Sequence, residues 1–195
     1  MRVFLDPVFF NSLPEAELRS GFAEIVKHCL IRDATMLERL LQSEFYKLDL
    51  FALTRHSVAI KYQVVEADPT EKGLRKILNF GHTVGHAIES HFLNAPGKKL
   101  LHGEAIAIGM ICESFLSYKK QGLQTDELDK ITRYLIRVFE PVAIEAGDLH
   151  SILENVRQDK KNEGETINFS LLKQIGECCY NVPVTAVEIA ESINF

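Results

Sequence analysis

Five residues with chemically active side chains recur at near-helical spacing in the stretch 71–89, EKGLRKILNFGHTVGHAIE. Glu71, Arg75, Asn79, His82 and His86 follow one another at steps of 4, 4, 3 and 4. An α-helix turns about 100° per residue, so these steps predict one helix with an acid, a guanidinium, an amide and two imidazoles along one face. Leu74, Ile77, Leu78, Phe80, Val84 and Ile88 lie between them and are expected to pack against a core. A single helical His is most often a hydrogen-bonded structural residue. Two at i, i+4 can reach one metal ion or one anionic substrate. The pattern is not that of zinc proteases, because Thr83 rather than Glu follows His82. Gly73 and Gly81 each weaken a straight helix by about 1 kcal/mol relative to Ala, but each lets a ligand approach the backbone.

The flanking sequence predicts mostly helix. Ser12-Leu-Pro-Glu15 reads as a capping box that starts a helix running to about Arg32, with Phe22, Ile25, Val26 and Leu30 on one side. Glu24 and Lys27, three apart, read from spacing alone as a surface ion pair worth a few tenths of a kcal/mol. Asp33 is a candidate N-cap for a helix to about Gln42. Residues 50–67 form a further helical pattern, in which Lys61 reads as a lysine that extends its charge to water. Asp68-Pro69 breaks it. Asn94-Ala-Pro-Gly97 with Lys98 and Lys99 reads as a loop, after which His102-Gly-Glu104 opens an apolar helix expected to be central and buried. Gln121-Gly122 ends that helix, Thr125-Asp-Glu127 opens another, and Asp148 caps a shorter one. Asp159 to Gly164 is a polar turn. Alternation from Thr166 to Leu171 predicts a strand with a partner near 179–184, and residues 2–5 read as a short N-terminal strand. The expectation is a mainly α, multi-helix domain spanning 1–195, with a small β-hairpin near 166–184.

Composition bounds the function. The chain has 195 residues, enough for one domain with a sizeable core. A charged fraction of 25% and a hydrophobic fraction of 46% fit a soluble globular protein. The net charge of -5 argues against a nucleic-acid partner. No apolar run approaches the roughly 20 residues of a membrane span. Cys29, Cys112, Cys178 and Cys179 form no CxxC pair, and reduced thiols in the cytoplasm are the expected state. No His-Asp dipeptide is present, which excludes the HD-type metal phosphohydrolases.

GFAEIVKHCLI (21–31), KILNFGHTVGHAIE (76–89) and LHGEAIAIGM (101–110) resemble 3-dehydroquinate synthase. Lys61, VVEADPTEKGLR (64–75) and Asp159-Lys160-Lys161 match that family's order and spacing, so the resemblance covers nearly the whole chain. It corresponds to the family's C-terminal metal- and substrate-binding domain. The family converts 3-deoxy-D-arabino-heptulosonate 7-phosphate to 3-dehydroquinate and phosphate, the second step of the shikimate pathway, using NAD and zinc or cobalt.

The resemblance implies Glu24, His82 and His102 as metal ligands, and places His86 beside the substrate in proton transfer. It thereby revises two readings from spacing: Glu24 as a surface acid and His86 as a metal ligand paired with His82. It implies a substrate clamp of Lys27, Lys61, Arg75, Asn79 and one lysine of the Lys160–Lys161 turn, with Glu71 positioning the network. Arg suits a planar carboxylate and Lys a phosphate. The family's N-terminal NAD-binding domain is expected to be missing from this chain, which holds no G-x-G-x-x-G loop. The chain alone is therefore expected to fold and bind metal without turnover. The complete enzyme is expected to be a cytoplasmic homodimer acting on a small sugar acid phosphate, with no nucleic acid or membrane partner. Related sugar phosphate cyclases, such as 2-deoxy-scyllo-inosose or 2-epi-5-epi-valiolone synthase, and a non-catalytic helical module are the alternatives.

Overall fold

The structure, a computed structural model, describes residue 4 and residues 6–94, 99–159 and 166–195. Most of the expected N-terminal strand and of the 94–99 loop, and Lys160 and Lys161, lie outside the described residues. Among these are eight α-helices: α1 (Glu15–Arg32), α2 (Ala34–Leu41), α3 (Leu50–Ala67), α4 (His82–Asn94), α5 (His102–Gln121), α6 (Thr125–Phe139), α7 (Leu149–Asp159) and α8 (Ala186–Ile193). An antiparallel hairpin, β1 (Thr166–Gln174) with β2 (Glu177–Thr185), precedes α8. The mainly α fold with one small hairpin is the architecture expected from the sequence.

Helix α5 is the central element. Its Ile106, Ala107 and Met110 join a core with α1, α2 and α6, while Ala105, Ile108, Cys112 and Leu116 join a second with α4, α7, the hairpin and α8. This is what an apolar sequence on every face of a helix requires. The hairpin pairs Ile167 with Val184, Phe169 with Val182 and Leu171 with Cys179, and the expected inward residues Ile167, Phe169 and Leu171 are buried. Gly176 at its turn donates its N–H to the Leu30 carbonyl at 2.7 Å, docking the hairpin on α1.

Two local expectations are corrected. Ser12 closes a 3₁₀ turn over Pro7–Asn11, its hydroxyl bonded to the Phe9 carbonyl; α1 begins after Pro14 without a side-chain cap. Glu15 is instead paired with Arg19, so there is no capping box. The second correction concerns 71–89, which is not one helix. Residues Leu74–Asn79 are 3₁₀, Gly81 is left-handed at φ +80, and α4 starts only at His82. The Asp68 carboxylate accepts the N–H groups of Lys72, Gly73 and Arg75, which folds the loop back before a regular helix can start. These bonds, that from Gly73 foremost, hold Asp68 below its ordinary carboxylate pKa.

Candidate metal and substrate site

Three helices bring the chemically active side chains together. The third and fourth turns of α1 carry Glu24 and Lys27, the first turns of α4 carry His82 and His86, and the first residue of α5 is His102. The helices meet closely because of glycines. A Cβ on Gly103 would lie 2.1 Å from the Ser20 carbonyl of α1, and one on Gly109 would lie 2.0 Å from the Gly81 carbonyl. Gly103 also donates its N–H to the Ser20 hydroxyl at 2.9 Å, which fixes the start of α5, and hence His102, against α1.

The ring centroids of His82 and His86 are 5.0 Å apart, and each lies 5.8 Å from that of His102. One ring nitrogen from each of the three falls within 4.8 Å of the others. The Glu24 carboxylate lies 3.4 Å from His82 Nε2. Three imidazoles and one carboxylate form a donor set suited to zinc, cobalt or a similar divalent ion. The His82 tautomer supports this fit. Its Nδ1 lies 3.2 Å from the Phe80 carbonyl, which can only accept, so Nδ1 carries a hydrogen. Nε2 is then the outward atom: protonated it donates to Glu24, and deprotonated it offers a lone pair to a cation shared with Glu24.

Lys27 supplies the positive charge in this structure. Its ammonium contacts both Glu24 oxygens at 2.9 and 2.8 Å and lies 3.5 Å from His82 Nε2. Its side chain is only 3% exposed, so the pair read from spacing as a surface contact is largely buried. Burial lowers the Lys27 pKa, opposed by Glu24. Burial alone would raise the Glu24 carboxyl; the contacts with His82 and Lys27 outweigh it and hold it well below the usual range.

His82 also faces a cavity of about 190 Å³, lined by Glu24, Lys27, Lys61, Glu71, Arg75 and Asn79 among others. The broken stretch 71–82 thus collects the side chains that a single helix was expected to align. Glu71, left-handed at φ +57, accepts from Asn79 Nδ2 at 3.0 Å and lies 3.8 Å from Arg75 Nε. Arg75 is held further by the Pro69 carbonyl at 2.9 Å. Lys61 is exposed and projects to the cavity wall.

Reading the sequence missed three residues around this site. Glu113, fully buried on α5, accepts backbone N–H groups at the start of α4; an acid within an otherwise apolar helix was the available signal. Glu89 Oε2 lies 3.2 Å from His102 Nδ1, a contact between helices that no spacing rule reveals. Asp68 reads from sequence only as a helix breaker and instead builds the loop carrying Arg75.

The chain is similar to curated proteins named 3-dehydroquinate synthase. One from Parabacteroides distasonis is 38% identical over 200 residues, covering 99% of this chain and 55% of that protein. One from Listeria monocytogenes is 41% identical over 181 residues, covering 90% of this chain and 48% of that protein. The chain therefore spans about half the length of these relatives. Its fold is similar to that of 2-epi-5-epi-valiolone synthase from Streptomyces hygroscopicus, solved with NAD+ and Zn2+ (TM-score 0.75, 24% identity, 97% of this chain and 53% of that one). A 2-deoxy-scyllo-inosose synthase solved with carbaglucose-6-phosphate, NAD+ and Co2+ is similar in fold at TM-score 0.74 and 22% identity, over 93% of this chain and 53% of that one. Residues 21–162 match the family described as 3-dehydroquinate synthase C-terminal, and the chain belongs to that family.

Proposed function

We propose that this chain forms the metal- and substrate-binding domain of a 3-dehydroquinate synthase. Its reaction is the closure of 3-deoxy-D-arabino-heptulosonate 7-phosphate to 3-dehydroquinate and phosphate. The observation that carries this reading is the convergence of Glu24, His82, His86 and His102 beside a cavity lined by Lys27, Lys61, Arg75 and Asn79. Glu24, His82 and His102 would hold Zn2+ or Co2+, which polarises a substrate hydroxyl when bound. NAD, held mainly by the family's N-terminal domain, supplies the hydride acceptor.

The chain's own residues bind and orient the substrate. Arg75, braced by Glu71 and the Pro69 carbonyl, presents its guanidinium to the carboxylate. Lys27, Lys61 and one of Lys160 and Lys161 meet the phosphate as point charges. Asn79, fixed by Glu71, donates to a hydroxyl. His86, packed against both other imidazoles, moves a proton at the substrate. We place this reaction in the shikimate pathway of aromatic amino acid and chorismate biosynthesis, in the cytoplasm, with a homodimer as the complete enzyme.

Isothermal titration of the zinc-loaded chain with 3-deoxy-D-arabino-heptulosonate 7-phosphate tests the reading. Binding that weakens roughly tenfold or more in Arg75→Ala, about 1.4 kcal/mol, is the expected result. Equal affinity for glucose 6-phosphate, which lacks the carboxylate, would favour a different sugar phosphate cyclase. Absence of any sugar phosphate binding would refute the proposal.

A further inference from the structure

The first turn of α4 is held by a residue that is not among those lining the cavity. Glu113, fully buried, reaches from α5 to the backbone around His82. Its Oε2 accepts the Gly81 N–H at 2.7 Å, and its Oε1 accepts those of Thr83 at 3.0 Å and Val84 at 3.2 Å. The three bonds bracket His82 on both sides in sequence. The N–H groups of a first helical turn have no partner within the helix, and the helix dipole favours an anion there.

The approach of the two helices makes this contact possible. Gly81 adopts φ +80 over Met110, and Gly109, one turn before Glu113, leaves room for the Gly81 carbonyl. The ring of His82 is then oriented by its own bond from Nδ1 to the Phe80 carbonyl. Backbone position and ring direction are thus set by two separate contacts, and both direct Nε2 toward Glu24.

We infer that Glu113 is a positioning residue for His82: it fixes the α4 backbone so that the imidazole meets the divalent ion in a competent orientation. This rests on reading the His82, His86, His102 and Glu24 cluster as a metal centre. Removing the residue should therefore weaken metal binding as well as stability. Residues that orient metal ligands from behind typically change affinity about 10–100-fold when replaced.

The test compares Glu113→Gln with Ser117→Ala. Ser117 is a buried α5 residue whose hydroxyl bonds the Glu113 carbonyl and the Leu172 N–H, with no contact to α4 amides among the described bonds. Thermal midpoint, zinc affinity by chelator competition and the visible spectrum of the Co(II)-loaded chain are measured for both. Glu113→Gln is expected to weaken zinc binding about 10–100-fold and to alter the Co(II) bands. Ser117→Ala is expected to lower the midpoint while keeping wild-type affinity and spectrum. Should Glu113→Gln show no cooperative melt, Glu113→Asp, which retains both oxygens, carries the same comparison. Wild-type zinc affinity and an unchanged spectrum in a destabilised Glu113 variant would overturn the inference. If the wild-type chain takes up no zinc, the metal reading fails, and the ¹⁵N signals of the His82 ring in the metal-free chain decide this inference alone. A single Nδ1–H tautomer that becomes mixed in the variant supports it, and identical signals overturn it.

Discussion

Replacing Gly109 by Ala should damage stability and metal binding together. The added Cβ would lie 2.0 Å from the Gly81 carbonyl oxygen, 2.7 Å from the Gly85 nitrogen and 2.9 Å from its Cα. All three are backbone atoms, so no side chain can rotate away. Non-bonded contacts need about 3.5 Å, so α4 must move off α5 by roughly 1 Å or more. Overpacking of this kind costs about 1–3 kcal/mol, against a helix-propensity gain of up to about 1 kcal/mol. A net loss of about 1–2 kcal/mol predicts a thermal midpoint lower by roughly 2–8 °C for a chain of this size. The same movement carries His82 and His86 away from His102 by more than the ~0.2 Å that a metal site tolerates. Zinc affinity, measured by chelator competition, should fall at least about tenfold. Gly21→Ala on α1, where nothing lies within 4 Å of the new Cβ, is the control and should stabilise by about 0.5–1 kcal/mol. A Gly109→Ala variant that melts at or above wild type with unchanged zinc affinity would refute the argument.

Two further outcomes follow from particular contacts. His28 is buried against Ser57, 2.6 Å from its hydroxyl, and burial, aided by the nearby Lys27 charge, depresses its pKa to about 4. The unfolded chain takes up this proton near pH 6.5 and the folded chain does not, so stability is fully present above pH 6.5 and declines as pH falls toward 4, by about 3 kcal/mol in all. Urea midpoints from pH 7 to 4.5 should show the decline in wild type and a flatter profile in His28→Phe with Ser57→Ala; parallel profiles would contradict it. Gly176 sits at φ +87 with its Cβ direction 3.0 Å from the Ala34 nitrogen, so Gly176→Ala should cost about 1–2 kcal/mol, and an unchanged urea midpoint would show that the hairpin docks otherwise.

The elements were legible where local chemistry determines them. Asp33 caps α2 through the Met36 N–H as expected, and α3 occupies the expected 50–67 span. The burial of α5 follows from its composition alone. The break in 71–89 has two local causes, Asp68 and Gly81, and one tertiary cause, Glu113. Helical spacing was present, but Asp68, Gly81 and Glu113 organise that segment through contacts that periodicity does not encode. The side chains nevertheless converge, because a folded loop and a helix start can present residues at steps of 3 and 4 to one cavity. Glu24 illustrates the limit of spacing. Three residues from Lys27 it reads as half of a surface pair; only the approach of α4, 55 residues later in the chain from Lys27, gives it His82 as a neighbour. The family resemblance implies Glu24, His82 and His102 as ligand candidates, whereas spacing pairs His82 with His86; the three imidazoles lie around one point, and Glu24 lies beside His82.

The most direct test of the site is the metal content of the purified chain, measured by mass spectrometry for wild type and His82→Ala after incubation with zinc and removal of excess. His82 is the residue that touches Glu24, the other imidazoles and the cavity at once. About one zinc per wild-type chain, lost in the variant, is the predicted result for a single divalent site with three or four protein ligands. A wild-type chain that retains no zinc, or a His82→Ala chain that retains as much as wild type, would contradict the account.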